Sequence, residues 1–260
     1  MPFTLSHPAA ALPVWPLVRR GYLPLAPFVV GALVPDFEYL LRLEPYALLS
    51  HSARGVILFD LPVGLVALVV WWRLVEPFAR ALFALPPAAT AAGSGAGWWG
   101  RQVLALVTGS VSHVTWDAFT HRDAWGPVLF PALKATAFTV SGIALPWYNV
   151  AQAISSVVGG GIVLWWLWRE VARNGEGERA LVAPWRVRRW VALGVAVLLA
   201  AAWNAPRHGM MSDPSRAKIV LGRAVVGGLV GLVVAMVSLA LLYRAGRRDG
   251  RSNLQGEQHA

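Results

Sequence analysis

The sequence predicts an all-α, polytopic integral membrane bundle with a short N-terminal helical hairpin, and three observations predict it. First, 57% of the 260 residues are hydrophobic and 14% are charged, against about a quarter charged in an ordinary soluble domain. Second, there are five apolar runs near the roughly 20 residues that a helix needs to cross a bilayer. Third, the chain holds 14 tryptophans, a residue that concentrates at membrane–water interfaces.

Taken in order, the chain opens on Met1-Pro2-Phe3-Thr4-Leu5-Ser6-His7-Pro8. No basic stretch precedes the first apolar run, so it does not read as a signal peptide. Ser6 can cap a helix that Pro8 enters early, reaching about Val18. A second apolar run, Leu23 to Val34, ends at Pro35-Asp36. Two such short antiparallel helices bring His7 and Asp36 to one end of a hairpin. Phe37 to Leu49 is amphipathic and reads as interfacial. Spans follow at Gly55–Arg73, Gln102–Thr120, Trp147–Trp168, Trp190–Asn204 and Ile219–Tyr243, the fourth being short unless it starts near Val187. Leu85 to Gly97, with Pro86-Pro87 and Gly93-Ser94-Gly95, reads as a loop. Ser212-Asp213-Pro214 supplies a cap and first-turn proline for the last helix. Residues 1–246 form one membrane domain on this reading, and 247–260 a disordered polar tail.

The net charge of +10 comes from 23 Lys and Arg against 13 Asp and Glu. Arg186, Arg188 and Arg189, and likewise Arg244, Arg247 and Arg248, sit at the ends of apolar runs. That placement fits membrane topology and anionic headgroups, so the lipid bilayer is the expected partner and nucleic acid is not. These basic loops put the His121 end of its helix, with Asp36 and His51, on the non-cytoplasmic side; Arg207, Arg216 and Lys218 oppose that orientation. The absence of cysteine excludes disulfides, iron–sulfur clusters and thiolate zinc sites. No Walker A loop, dinucleotide fingerprint or G-x-S-x-G elbow is present.

Chemistry concentrates in Ser112-His113-Val114-Thr115-Trp116-Asp117-Ala118-Phe119-Thr120-His121. His113, Asp117 and His121 are four residues apart, so on a helix they share one face. Two imidazoles and a carboxylate suit a transition metal, and ionisable groups in an apolar helix default to function. The bland alternative is a polar network that fixes helix packing. Ser112 and Thr120 are candidates to orient an imidazole, and Trp116 reads as packing. Asp60 interrupts the run Val56-Ile57-Leu58-Phe59-Asp60-Leu61-Pro62, where it is either a lipid-depth carboxylate in need of a partner or a cap for a restarted helix. His51 precedes the same helix. Asp36 and Glu38 have strong capping and first-turn readings. Gln152, Ser155 and Ser156, followed by Gly159, Gly160 and Gly161, read first as a close helix contact. His208 and His259 are assigned nothing.

Pro2-Phe3-Thr4 with Ser6-His7-Pro8-Ala9, Pro35-Asp36, His51-Ser52 with Gly55, Asp60-Leu61-Pro62, Ser112-His113 with Asp117 and Thr120-His121, and Gln152 with Ser155-Ser156 together resemble a bacterial membrane-protein family, domain of unknown function 4184. The resemblance covers about the whole chain. Where members often carry a histidine after the glutamine, this chain has Ala153. The pattern is similar to that of inner-membrane metal-dependent hydrolases and, by distant analogy, to the helical zinc phospholipase C and P1 nuclease group. The combined expectation is a multi-pass protein of the bacterial inner membrane. His113, Asp117, His121, His7 and His51 would hold a divalent metal, zinc first. Asp60 or Asp36 would act as the catalytic carboxylate on a lipid or lipid-linked phosphoester or ester. The rival expectation is a transporter or cation- and proton-binding membrane protein without hydrolytic activity.

Overall fold

The computed structural model describes residues 4–88, 93–122, 124–140, 142–205 and 214–257. The chain is 79% helical, as the sequence predicts. The main helices are α1 (Leu25–Leu33), α2 (Ala53–Leu82), α3 (Ala96–Thr120), α4 (Trp147–Asn174), α5 (Pro184–Asn204) and α6 (Pro214–Glu257). Among the described residues four helices are long and apolar enough to cross a membrane: Ala53–Leu82, Trp147–Asn174, Pro184–Asn204 and Ile219–Arg247. The fourth expected span therefore does start earlier, at Pro184, whose ring suits the first turn of a helix. The helix α3, read from Gln102 as a further span, is long enough but is not one of these four. Gln102, Ser110, His113, Asp117 and Thr120 lower its hydropathy, and all five are buried.

Two compact units are present. The first comprises Met1–Glu38, Ala47–Leu68 and Ala92–Arg169, and the second Tyr39–Tyr46, Val69–Ala91 and Glu170–Ala260. In the first, Thr4–Ala11 forms a 3-10 helix and Trp15–Arg19 one short α-helical turn. Pro8 and Pro13 each lack an N–H, which is why no single helix runs to Val18. Ala11, Leu23, Phe28, Ala32 and Ala105 make the apolar core of this unit. The expected interfacial helix is shorter than Phe37–Leu49. It stops at Arg42, with Leu43 at φ 57°, because Pro45 disfavours a helical residue before it.

Glycine sets the closest helix contact. A Cβ on Gly31 of α1 would strike the Leu106 carbonyl of α3, and a Cβ on Gly109 of α3 would strike the Phe28 carbonyl of α1. The two backbones touch reciprocally, which only small residues allow. The same logic holds at Gly159 of α4, which lies against Ser6. That contact agrees with the close-contact reading of the Gln152–Gly161 stripe. The unit also contains an element that the sequence reading missed, an antiparallel hairpin of β1 (Thr136–Val140) and β2 (Ile143–Pro146). β-Branched residues around Ser141-Gly142 are a turn signal that was available.

In the second unit Phe78, Leu82, Leu193 and Ala240 form the core, joined by Met236 and Tyr243. Arg186 is buried there, and its Nε donates to the Ala81 carbonyl at 2.8 Å. The backbone of α6 is helical to Glu257, into the stretch read as a polar tail. Residues 258–260, with His259, and the loop holding His208 lie outside the described residues, as does the Ser212-Asp213 cap.

The crossing makes a specific demand. Gly109→Ala should lower stability by about 1–3 kcal/mol through overpacking. Gly100→Ala, on the same helix with nothing within 4 Å of the added carbon, should be neutral or stabilise by up to about 1 kcal/mol. Apparent unfolding midpoints of the two variants in one detergent check the contrast.

Candidate metal centre

The site is built where α1 meets α3. At 3.6 residues per turn, His113 and Asp117 stack on one face of α3. The glycine crossing lays the end of α1 over that face, and the 3-10 turn Val34–Asp36 that follows α1 turns Asp36 inward, fully buried. His51 comes from the loop before α2. That loop is held by Glu38, whose carboxylate accepts the backbone N–H groups of Leu48 (2.8 Å), Leu49 (3.0 Å) and Ser50 (2.8 Å). Ser50 Oγ in turn lies 2.9 Å from His51 Nδ1.

Asp36, His51, His113 and Asp117 present one ligand atom each, all within 4.8 Å of one another. The group could hold a metal ion. His113 Nε2 lies 3.4 Å from Asp36 Oδ1, 3.5 Å from Asp117 Oδ2 and 3.3 Å from His51 Nε2. His51 Nε2 lies 3.6 Å from Asp36 Oδ1 and 3.3 Å from Asp117 Oδ2. These spacings are long for charge-assisted hydrogen bonds, which are about 2.7–2.9 Å. These five lie near the edge length, about 3.3 Å, of a tetrahedron of donors about 2.0–2.1 Å from a zinc ion. Both oxygens of Asp36 and both of Asp117 are buried without a hydrogen-bond partner. The far nitrogen of His113 is fixed as well. Its Nδ1–H donates to the Ala32 carbonyl at 2.7 Å, so Nε2 is the nitrogen turned towards the group, the usual arrangement behind a ligand imidazole.

The remaining sequence candidates fall around this group. His7 stacks on the His113 ring at 3.7 Å, with its Nε2 3.4 Å from Asp117 Oδ1. Burial holds the His7 imidazole down to about 3, so it is neutral. For Asp36 burial pushes up, but His113 and His51 hold the carboxyl below the usual range. For His51 burial pushes down, and Asp117 and Asp36 outweigh it. Asp60 is fully buried, and its Oδ2 accepts the Ser110 hydroxyl at 2.5 Å while Oδ1 has no partner. It sits in a π-helical turn, Val56–Asp60, a local widening found often at functional sites. Ser110 is one turn before His113 on α3, which ties Asp60 to the same face.

His121 is placed differently from the helical spacing. The helix α3 ends at Thr120, and His121 is its cap in extended conformation (φ −120°, ψ 138°). Its Nδ1–H donates to the Asp117 carbonyl at 2.8 Å and lies 3.9 Å from Asp117 Oδ2. It therefore caps the helix beside the group of four rather than within it. Ser112 bonds back to the Gly109 carbonyl, and Ser155 and Ser156 to the Gln152 carbonyl, which are local helix bonds. Sequence reasoning missed Glu38 as the loop clamp and Ser110 as the partner of Asp60. The Ser110 signal was present, three residues before His113; nothing local announces a carboxylate that binds amides ten to twelve residues ahead.

Fold and site together define a helical protein with membrane-capable helices and a buried His/Asp group able to hold a metal ion. The chain belongs to the family described as Domain of unknown function (DUF4184), whose family model matches residues 1–241. No curated protein and no solved structure matches it.

The Glu38 clamp carries a pH signature. Burial raises the carboxyl, but the Ser50, Leu48 and Leu49 amides overcome that and hold it down to about 2, from an ordinary 4.5. A depressed carboxylate stabilises the fold fully above its unfolded pKa and loses that contribution as pH falls towards the folded value. Glu38→Gln should cost about 1.5–3 kcal/mol near neutral pH. The gap from wild type should shrink below about pH 4.5, and hydrogen exchange at Leu48–Ser50 should speed up. Unchanged exchange at those amides would remove the clamp.

Proposed function

We propose that this protein is a membrane-embedded, metal-dependent hydrolase of the bacterial inner membrane that acts on a lipid or lipid-linked phosphoester or ester. One observation carries the proposal: buried imidazole and carboxylate donors from distant parts of the chain, all within 4.8 Å of one another, with no hydrogen bonds on the four carboxylate oxygens. Asp36, His51, His113 and Asp117 hold the metal, and zinc suits a set of two imidazoles and two carboxylates. A divalent ion there supplies Lewis acidity and makes water acidic enough to attack at neutral pH.

The chain's own groups divide the remaining work. Asp36, a candidate base on the sequence reading, lies within the ligand set, so Asp60 is the spare carboxylate. Ser110 holds one of its oxygens and leaves the other to accept a proton. His7 backs the His113 ring and faces the second oxygen of Asp117, where it holds both ligands in place. His51 is the open edge, with its side chain 19% exposed against 4% or less for Asp36, His113 and Asp117. A substrate oxygen would approach on the His51 side, the most exposed part of the group. His121, half-buried at the adjacent helix end, borders that approach. The membrane-capable helices favour an amphiphilic substrate whose reacting group reaches the site while its tail stays in lipid.

Metal analysis of the detergent-purified protein tests the first half. His113→Ala and Asp117→Ala should each lose at least about 10-fold in metal occupancy, while His121→Ala keeps it. Turnover of phosphodiester, phosphomonoester and carboxylic-ester lipids tests the second half. Asp60→Asn should retain metal and lose about 10²–10⁴-fold in rate. Unchanged metal content in both ligand variants sinks the site. A metal-loaded protein inert towards every ester class sinks the hydrolase.

A further inference from the structure

The second unit contains a cavity of about 370 Å³ lined by Arg73, Leu74, Pro77, Ala240, Tyr243, Arg244 and Arg247. That volume is within the range of small-molecule pockets, about 300–1,000 Å³. Its chemistry is one-sided: three guanidiniums and a phenol share the lining with Leu74, Pro77 and Ala240, and no carboxylate is among them. Among the described residues none of the three arginines forms an ion pair. The neighbouring acid, Glu76, is held by Arg80 at 3.1 Å.

The groups are arranged, not scattered. Arg244 and Arg247 are three residues apart on one face of α6. Arg73 enters from α2, from a second π-helical turn, Trp71–Val75. Arg244 Nη1 reaches towards the Arg73 carbonyl at 3.5 Å, which brings the two helices' cations to one mouth. Arg247 Nη1 donates to the Tyr243 hydroxyl at 3.3 Å, so that hydroxyl keeps its own proton to offer an anion. The Tyr243 ring packs on Phe78 at 5.8 Å and fixes the position of the phenol.

Depth identifies the ligand. Arg73 is twenty residues after Ala53, about 30 Å of helix at 1.5 Å per residue, the thickness of a hydrocarbon core. Trp71 and Trp72 beside it are the aromatic type that marks that boundary. On α6, Arg223 and Arg244 bracket the uncharged residues 224–243, again about one hydrocarbon thickness. The mouth therefore lies where lipid phosphates lie. Guanidinium forks match phosphate oxygens in pairs, and the apolar part of the lining accepts the start of an acyl chain. We propose that Arg73, Arg244, Arg247 and Tyr243 form a binding site for the phosphate of an anionic phospholipid headgroup, separate from the His/Asp group.

The test uses full-length protein, delipidated in mild detergent and titrated with phosphatidylglycerol, phosphatidylcholine or inorganic phosphate, with bound species counted by native mass spectrometry. Wild type should prefer phosphatidylglycerol over phosphatidylcholine. Arg73→Gln/Arg244→Gln should lower phosphatidylglycerol affinity by about 30-fold, the effect of two cations at a membrane surface. Arg19→Gln/Arg20→Gln, which removes equal charge from exposed positions elsewhere, should leave it unchanged. Tyr243→Phe keeps the ring packing and should weaken binding by about 5-fold, the worth of one hydrogen bond; it serves where the double variant fails to fold. Equal losses in the two arginine double variants, or none in the cavity variants, would overturn the site. Saturation by inorganic phosphate without a phosphatidylglycerol preference would overturn the lipid as its ligand.

Discussion

Two carboxylates buried face to face with no hydrogen bond between them and their surroundings are the constraint on which the first unit depends. Each ion taken out of water costs several kcal/mol unless an opposite charge meets it. Asp36 and Asp117 are nearly inaccessible, and none of their four oxygens finds a donor. A proton on His51, which Asp117 and Asp36 favour, balances part of that charge, yet a charge-assisted hydrogen bond is about 2.7–2.9 Å long. The observed separations stay at 3.3–3.6 Å. His113 settles which nitrogen it turns inward, because Nδ1–H is committed to the Ala32 carbonyl. Nε2 then faces two carboxylate oxygens and a second imidazole nitrogen. Donors that converge on a point without touching each other are what a cation requires.

The rest of the unit meets that requirement with ordinary means. Gly31 and Gly109 let α1 and α3 touch at the backbone, which carries Asp36 over the His113–Asp117 face. Glu38 replaces a missing secondary structure: three successive amides of an irregular loop bond to one carboxylate, and the loop delivers His51. His7 arrives on a proline-containing 3-10 turn and closes the far side. Ligands therefore come from a turn, a loop and a helix, each fixed by a different local interaction. Such an assembly has no sequence period, which is why only part of it can be read from the chain.

The legible part is the part governed by helix geometry. The i, i+4 spacing of His113 and Asp117 in an apolar helix pointed to the face on which the buried His/Asp group sits, and the apolar runs showed the helical membrane class. The same rule misplaced His121, because the spacing holds only while the helix continues and α3 stops at Thr120. Asp36 read both as a cap and as a candidate catalytic carboxylate; its inward turn depends on the crossing at Leu106 and Gly109, about seventy residues downstream in the chain. Asp60 was legible as an anomaly, a carboxylate in a greasy run. Its partner Ser110 and the π-turn that aims it belong to tertiary packing. Glu38 read only as a first-turn acid, and the β-hairpin at Thr136–Pro146 fell in a stretch between Thr120 and Trp147 to which no element was assigned.

The helix that carries His113 and Asp117 is itself outside the group of four that could cross a membrane by length and composition, and this bears on chemistry. Ionisable groups facing lipid are costly, whereas those of α3 face protein: His113 has the Ala32 carbonyl and the His7 ring on its two sides. The apolar surface needed for a bilayer is supplied by other helices, leaving α3 free to carry polar groups inward. A site walled by protein except at His51 has a low-dielectric interior and one wet edge. Electrostatic interactions inside it are strong because water is excluded. A polar seam that only glues helices satisfies its hydrogen bonds internally, and this group leaves its central carboxylate oxygens open.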